Sequence, residues 1–151
     1  MTESPKPSVP PNIEEFNKVV ALVFAQLYEA FPIMVDLIDR DGIAAAFEVK
    51  AGEWASHKLP SGRGFSDVMT YTIAWLNSQN YIVSSGAHPA ERVVLSDKGL
   101  AALNAVPSQL SGSVGSRLVQ QTRSGNWGGI QEVIGGLIGS AAASYQKGIV
   151  S

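Results

Sequence analysis

The chain has no cysteine, only two histidines and few charges: 16% of its 151 residues are Asp, Glu, Lys or Arg, against about 25% in an average soluble domain. Without cysteine there is no disulfide scaffold, no thiol nucleophile and no thiolate metal site. His57 and His88 fit no H-E-x-x-H pattern or other ligand spacing, so each reads as a loop residue. Nor is there a basic excess. Eleven Lys and Arg against thirteen Asp and Glu give a formal charge of −2, which excludes coating of polyanions by overall charge. The shortage of charge suggests instead that a partner covers some of the surface.

The apolar runs are too short to cross a bilayer. Val68 to Ala90 has no formal charge but carries Asn77, Ser78, Gln79, Asn80, His88 and Pro89; Val133 to Gln146 is more apolar yet only fourteen residues long, short of the roughly 20 required. The opening Met1-Thr2-Glu3-Ser4-Pro5-Lys6-Pro7 lacks the apolar stretch of a secretory leader. The expectation is a cytoplasmic protein that does not use a membrane. Enzyme signatures are missing too. There is no G-x-S-x-G elbow, Walker lysine or G-x-G-x-x-G fingerprint, and Gly62-Arg63-Gly64 and Gly112-Ser113-Val114-Gly115 read as flexible joints. Asp36, Asp39 and Asp41 suggest a calcium loop, but Val49 stands where the bidentate glutamate belongs. Trp54 and Trp75 could line a small-molecule pocket, although such residues more often fill core. The reading is a non-enzyme with no metal and no cofactor.

What is present is a core. At 45% apolar residues and mean hydropathy +0.09 the chain is not disordered as a whole, and its length suits one domain. Residues 1–11, with Pro5, Pro7, Pro10 and Pro11, read as an extended tail. Asn12, with Glu15 three residues on, then looks like a capping-box start. Ile13, Phe16, Val20, Val23, Phe24, Leu27 and Phe31 follow at helical spacing until Pro32. Ile33 to Leu37 is a strand or an extended connection, and Ile43 to Val49 a short alanine-rich helix. After the loop-like Ala51 to Gly64, Ser66 is expected to cap a helix whose buried stripe is Phe65, Met69, Ile73 and Leu76. Tyr81-Ile82-Val83 and Arg92-Val93-Val94-Leu95 read as strands joined by Ser84 to Glu91, and Ser96 as the cap of a helix through Leu103.

Within this order, Trp75-Leu76 shortly before Asn80-Tyr81-Ile82, and Val94-Leu95-Ser96-Asp97-Lys98-Gly99-Leu100, carry a resemblance. Residues 12–106 resemble a winged helix-turn-helix domain, with Asn80 and Ser96 in the glycine-like and threonine-like places of the family pattern. The implied fold is mainly α with a small β-hairpin wing (α+β), to which residues 107–151 add a glycine-rich C-terminal helical association segment. The resemblance implies double-stranded DNA binding and transcriptional regulation, by the helix Ser66–Asn80 and the wing Ser84–Glu91. Lys58, Arg63 and Arg92 are the candidate phosphate contacts, and Thr70, Tyr71 and Ser78 the candidate groove contacts. The alternative is a winged-helix module that binds a protein through the same helix face. Four cations against three carboxylates between His57 and Lys98 are no basic stripe, and the fourteen-residue spacer Ala51–Gly64 exceeds the usual short turn. Either that spacer adds local structure or the two helices are not paired in the usual way.

Val114, Leu118 and Val119, then Trp127, Ile130, Ile134, Leu137 and Ala141, continue at helical spacing to about Tyr145 despite Gly128, Gly129, Gly135, Gly136 and Gly139. Each glycine costs a helix about 1 kcal/mol relative to alanine, so packing must hold this one. Gly135, Gly139 and Ala143 at four-residue intervals strip one face to backbone, flanked by Ile134, Leu137 and Ile138. That face either packs on its own domain or forms a homodimer contact through these six residues.

Overall fold

The computed structural model describes residues 9–37, 43–50, 52–105 and 112–150, with side chains to residue 138. Helix α1, Pro11–Ala30, starts on Pro10, whose carbonyl takes the amides of Ile13 and Glu14. Pro11 stands at the first helical position, where the missing N–H costs nothing. Asn12 is therefore inside the helix and caps nothing, and Glu15 turns away to a distant loop. Val19, Val20, Ala21, Val23, Phe24, Ala25 and Leu27 are all buried. A helix apolar on so many sides must be covered on so many sides. Helix α3, Phe65–Ser78, and the sheet cover part of it, while α5, Val114–Ser124, and α6, Trp127–Val150, cover the rest. Ile13 and Phe31, at the two ends of the expected stripe, are exposed.

Helix α2 is a single turn, Ile43–Ala46. Strands β1, Ile82–Ser84, and β2, Val93–Leu95, pair antiparallel with Ile82 opposite Leu95. The segment after α1 joins this hairpin: Val35 and Val93 exchange two backbone bonds of 2.8 Å, and the Leu37 amide donates to the Ala90 carbonyl at 2.7 Å. β2 is thus central, and Val93 is fully buried.

Helix α3 begins one residue before Ser66. Its cap is Gly64, with no side-chain bond, and the Phe65 amide donates to the His57 carbonyl at 2.9 Å. Phe65, Met69, Ile73 and Leu76 form the buried stripe as the spacing predicts. The helix closes with two C-terminal bonds, Asn80 N–H to the Asn77 carbonyl and Tyr81 N–H to the Leu76 carbonyl. Asn80 occupies the left-handed region, φ 64°, the place where glycine usually stands. Helix α4, Asp97–Asn104, is capped by Ser96, whose hydroxyl takes the Gly99 amide at 3.0 Å and donates to the Asn80 carbonyl. A Cβ on Gly99 would lie 2.2 Å from the Tyr81 carbonyl oxygen. Only a bare backbone fits there.

Residues after 112 belong to the same core as those before it: Leu118, Ile130 and Ile134 are fully buried in the cluster that holds Val20 and Phe24. Tyr28 knits the join, its hydroxyl bonding Asn104 Oδ1 at 3.1 Å and Ser113 Oγ at 2.9 Å. Gly115 leaves room for its ring. Ser113 caps α5 through the Ser116 amide. Asn17 donates to Gln131 at 2.8 Å, tying α6 to α1. Lys18 sits 4.5 Å from the centre of the Phe47 ring and 4.3 Å from that of Trp127. Burial holds its ammonium below the ordinary lysine value, and Glu48 pulls it partly back. Burial likewise pushes the Tyr81 phenol up.

Gly99→Ala forces a methyl into the Tyr81 backbone and should cost about 3 kcal/mol in urea unfolding. Gly128→Ala, in open space in the first turn of α6, should gain about 0.5 kcal/mol. The Lys18 ammonium is disfavoured in the folded chain, so between its lowered value and the unfolded 10.5 the unfolded state binds more protons. The stability difference between wild type and Lys18→Met should therefore move in favour of wild type as pH rises through that window. A difference flat with pH would show that folding leaves the Lys18 pKa unchanged.

Candidate functional site

The residues of α3 opposite its buried stripe form a ridge. Asp67 and Ser78 are exposed, Thr70 and Ala74 half-buried, and Tyr71 is 73% exposed. Beside the ridge, between α3, the start of α1 and the spacer loop, lies an open cleft of about 610 Å³. Phe16 and Trp75 line it together with Tyr71, Asp67, Lys58 and Arg63. The Phe16 and Trp75 rings meet edge to face, centroids 5.2 Å apart, and Trp75 also stacks on Tyr81 at 6.2 Å. The Trp75 indole is thereby held on two sides.

The spacer does add local structure. Lys58 bridges to Gly64, the Leu59 amide donates to the Arg63 carbonyl at 2.8 Å, and Gly62 turns the chain at φ +89°. Leu59 anchors the loop in the core. The buried Glu15 carboxylate holds its tip, taking the Ser61 amide at 2.9 Å and the Ser61 hydroxyl at 2.6 Å. Lys58 and Arg63 are therefore presented from a braced hairpin. Among the described residues neither makes an ion pair. Asp67, in the first turn of α3, has Oδ2 only 3.6 Å from where a Gly64 Cβ would stand, close to the positive end of the helix.

Three of the expected contacts, Lys58, Arg63 and Tyr71, thus come together in one cleft. Thr70 and Ser78 do not line it, and the Ser78 hydroxyl is spent on the Trp75 carbonyl at 2.9 Å. Arg92 is in the β1–β2 connection, outside the cleft, at φ 51° with its amide on Asp36 Oδ1 at 2.9 Å. That connection is internally bonded: the Ser84 hydroxyl reaches the His88 and Glu91 carbonyls, and His88 Nδ1 takes the Ala90 amide. His57 is half-buried in the spacer. Sequence reasoning missed Phe16, which its spacing assigns to the core, and paired Trp75 with Trp54. Trp54 packs instead edge-on against Phe65, 5.4 Å between centroids, away from the cleft.

On α6, Ile134 is 0% exposed and belongs to the chain's own core, so it is not free to contact a second copy. Leu137 and Ile138 are half-buried against that core, whereas Gly135 is exposed. The side chains at Gly139 and Ala143 lie outside the described residues, as do Asp39 and Asp41. Among the described residues no three His, Asp or Glu side chains gather closely enough to hold a metal ion, and no helix is long and apolar enough to cross a membrane. No protein-family model, no curated protein and no solved structure matches the chain.

Glu15→Ala strips Ser61 of two charge-assisted acceptors and should cost about 1.5–3 kcal/mol in urea unfolding, with faster amide exchange confined at first to residues 58–64. Exchange unchanged in that loop would mean that Glu15 does not brace it.

Proposed function

We propose that the chain is a non-enzymatic winged-helix protein that binds double-stranded DNA through α3 and the wing. The observation that carries this reading is the order of elements: α1, a bridging strand residue at Val35, α2, α3, the β1–β2 hairpin and α4, with the α3 ridge left uncovered. A protruding helix beside a β-ribbon has the dimensions to enter a major groove. Tyr71 stands at the crest of that helix, Lys58 and Arg63 flank its start, and Arg92 stands in the ribbon, where contacts to phosphate set register. In this reading two copies pair through α6: Gly135 and Gly136 have nothing within 4 Å of where a Cβ would stand, and bare backbone lets a second helix approach closely.

A second reading, a protein-binding module, is favoured by one feature. The register puts Met34, Val94 and Val83 in a row across the outer face of the sheet, and Met34 and Val83 are exposed, as is neighbouring Ile33 at 67%. Exposed apolar rows of this kind mark protein contacts.

Gel-shift titration with mixed genomic duplex fragments separates the two. On the DNA reading, affinity falls tenfold or more between about 50 and 200 mM salt. Lys58→Ala with Arg63→Ala then lowers the logarithmic salt slope by about 2 and weakens all sequences alike. Absence of any shift at low salt rejects the DNA reading and leaves the protein-binding one. Gly135→Leu should turn the dimer to monomer in sedimentation; a chain already monomeric rejects the α6 pairing.

A further inference from the structure

We infer that the cleft between α1, the braced loop and α3 is a binding site for one unstacked nucleotide, with preference for a base that carries an exocyclic amino group. Four features converge on that ligand. First, the cleft is concave and about 610 Å³, within the roughly 300–1,000 Å³ of small-ligand sites; a base still stacked in a duplex could not enter it. Second, its wall is aromatic: Trp75 is clamped by Phe16 and Tyr81, and Tyr71 stands exposed at the rim. Trp75 is taken up by its neighbours, so the exposed Tyr71 ring is the face on which a nucleobase can lie. Third, Lys58 and Arg63 reach the cleft from a hairpin that Glu15 holds in place, without ion-pair partners among the described residues. The brace fixes the loop that carries these cations, so a phosphate has only their side chains left to order.

The fourth feature decides the base. Asp67 lines the same cleft. An anionic ligand with no donor would be repelled by it, whereas the amino groups of adenine and cytosine donate to a carboxylate. Thymine offers a single N3–H set between two carbonyl oxygens that repel the carboxylate, and is disfavoured. The same chemistry comes from two sources, a free nucleoside monophosphate or an unstacked nucleotide within a strand. The inference goes beyond duplex binding and does not depend on it.

The test is fluorescence anisotropy with the full chain and labelled single strands of about twelve nucleotides, all deoxyadenosine, all deoxycytidine or all thymidine. Wild type should bind the first two about fivefold more tightly than the third. Asp67→Ala, an exposed change, should abolish that preference and bind thymidine strands at least as well as wild type does. Tyr71→Ala should weaken all three by about tenfold, with thermal melting confirming that the fold is intact. Adenosine monophosphate that displaces the strand at comparable concentration identifies the free nucleotide as occupant; displacement only by unlabelled strand identifies the strand. Equal binding of the three strands by wild type, or a preference unchanged in Asp67→Ala, overturns the inference. Strand binding without a duplex shift rejects only the duplex reading, and a duplex shift without strand binding rejects only this one.

Discussion

Helix α1 can be apolar on most of its circumference only because both the middle of the chain and its later helices fold back onto it. Its Val19–Leu27 stretch is the surface on which the sheet, α3, α5 and α6 all converge, and a buried residue such as Phe24 is worth about 3–5 kcal/mol against truncation. This explains how the glycine-rich α6 persists. It has no helical propensity to spare, but Ile130 and Ile134 are buried and Gln131 bonds both Asn17 and the Glu14 carbonyl. Packing stabilises what the sequence alone would let fray. The same dependence runs to the cleft, because Phe16 and Glu15 are successive residues of α1. One positions the Trp75 ring and the other the loop that carries Lys58 and Arg63.

Features fixed by neighbours in sequence were legible in it. The α3 stripe and the Ser96 cap on the Gly99 amide each depend on residues within a few positions, and Asn80 stands where the helix end needs a left-handed residue. The hairpin, too, follows from short β-branched runs around a turn. Features fixed by residues far along the chain were not legible. Asn12 and Glu15 have the spacing of a capping box, but Ser61, 46 residues away, offers Glu15 two donors in a buried setting. A buried charge-assisted pair outweighs an exposed cap. Ser66 loses its expected role because the Phe65 amide already finds the His57 carbonyl and the cap falls on Gly64, so the helix begins two residues earlier.

Periodicity also cannot say what covers a buried stripe. Phe16 has the spacing of a core residue and does pack, yet one side of its ring faces the cleft rather than another helix. Ile134 has the spacing of a contact residue and faces the chain's own core. In both cases the sequence identifies the apolar face, and the path of a distant segment decides its neighbour. Trp54 and Trp75 show the converse: their side chains fill separate places because the spacer hairpin carries Trp54 to the far side of Phe65.

The net charge of −2 is a poor guide to this surface, because screening confines each charge to about 10 Å at 0.1 M salt. What matters is which cations are already engaged. Lys18 lies between two rings, Lys98 donates to the Gln79 carbonyl over the Tyr81 ring, and Arg123 pairs with Glu29. Among the described residues Lys50, Arg92 and Arg117 are also without an ion pair, but the cations that line the cleft are Lys58 and Arg63, together with one carboxylate, Asp67. Two cations and one acid cannot hold a polyanion by field alone. They can do so when aromatic stacking supplies the adhesion and the acid finds a donor on the ligand, so the mixed charge of the cleft argues for close, shape-dependent contact over long-range attraction.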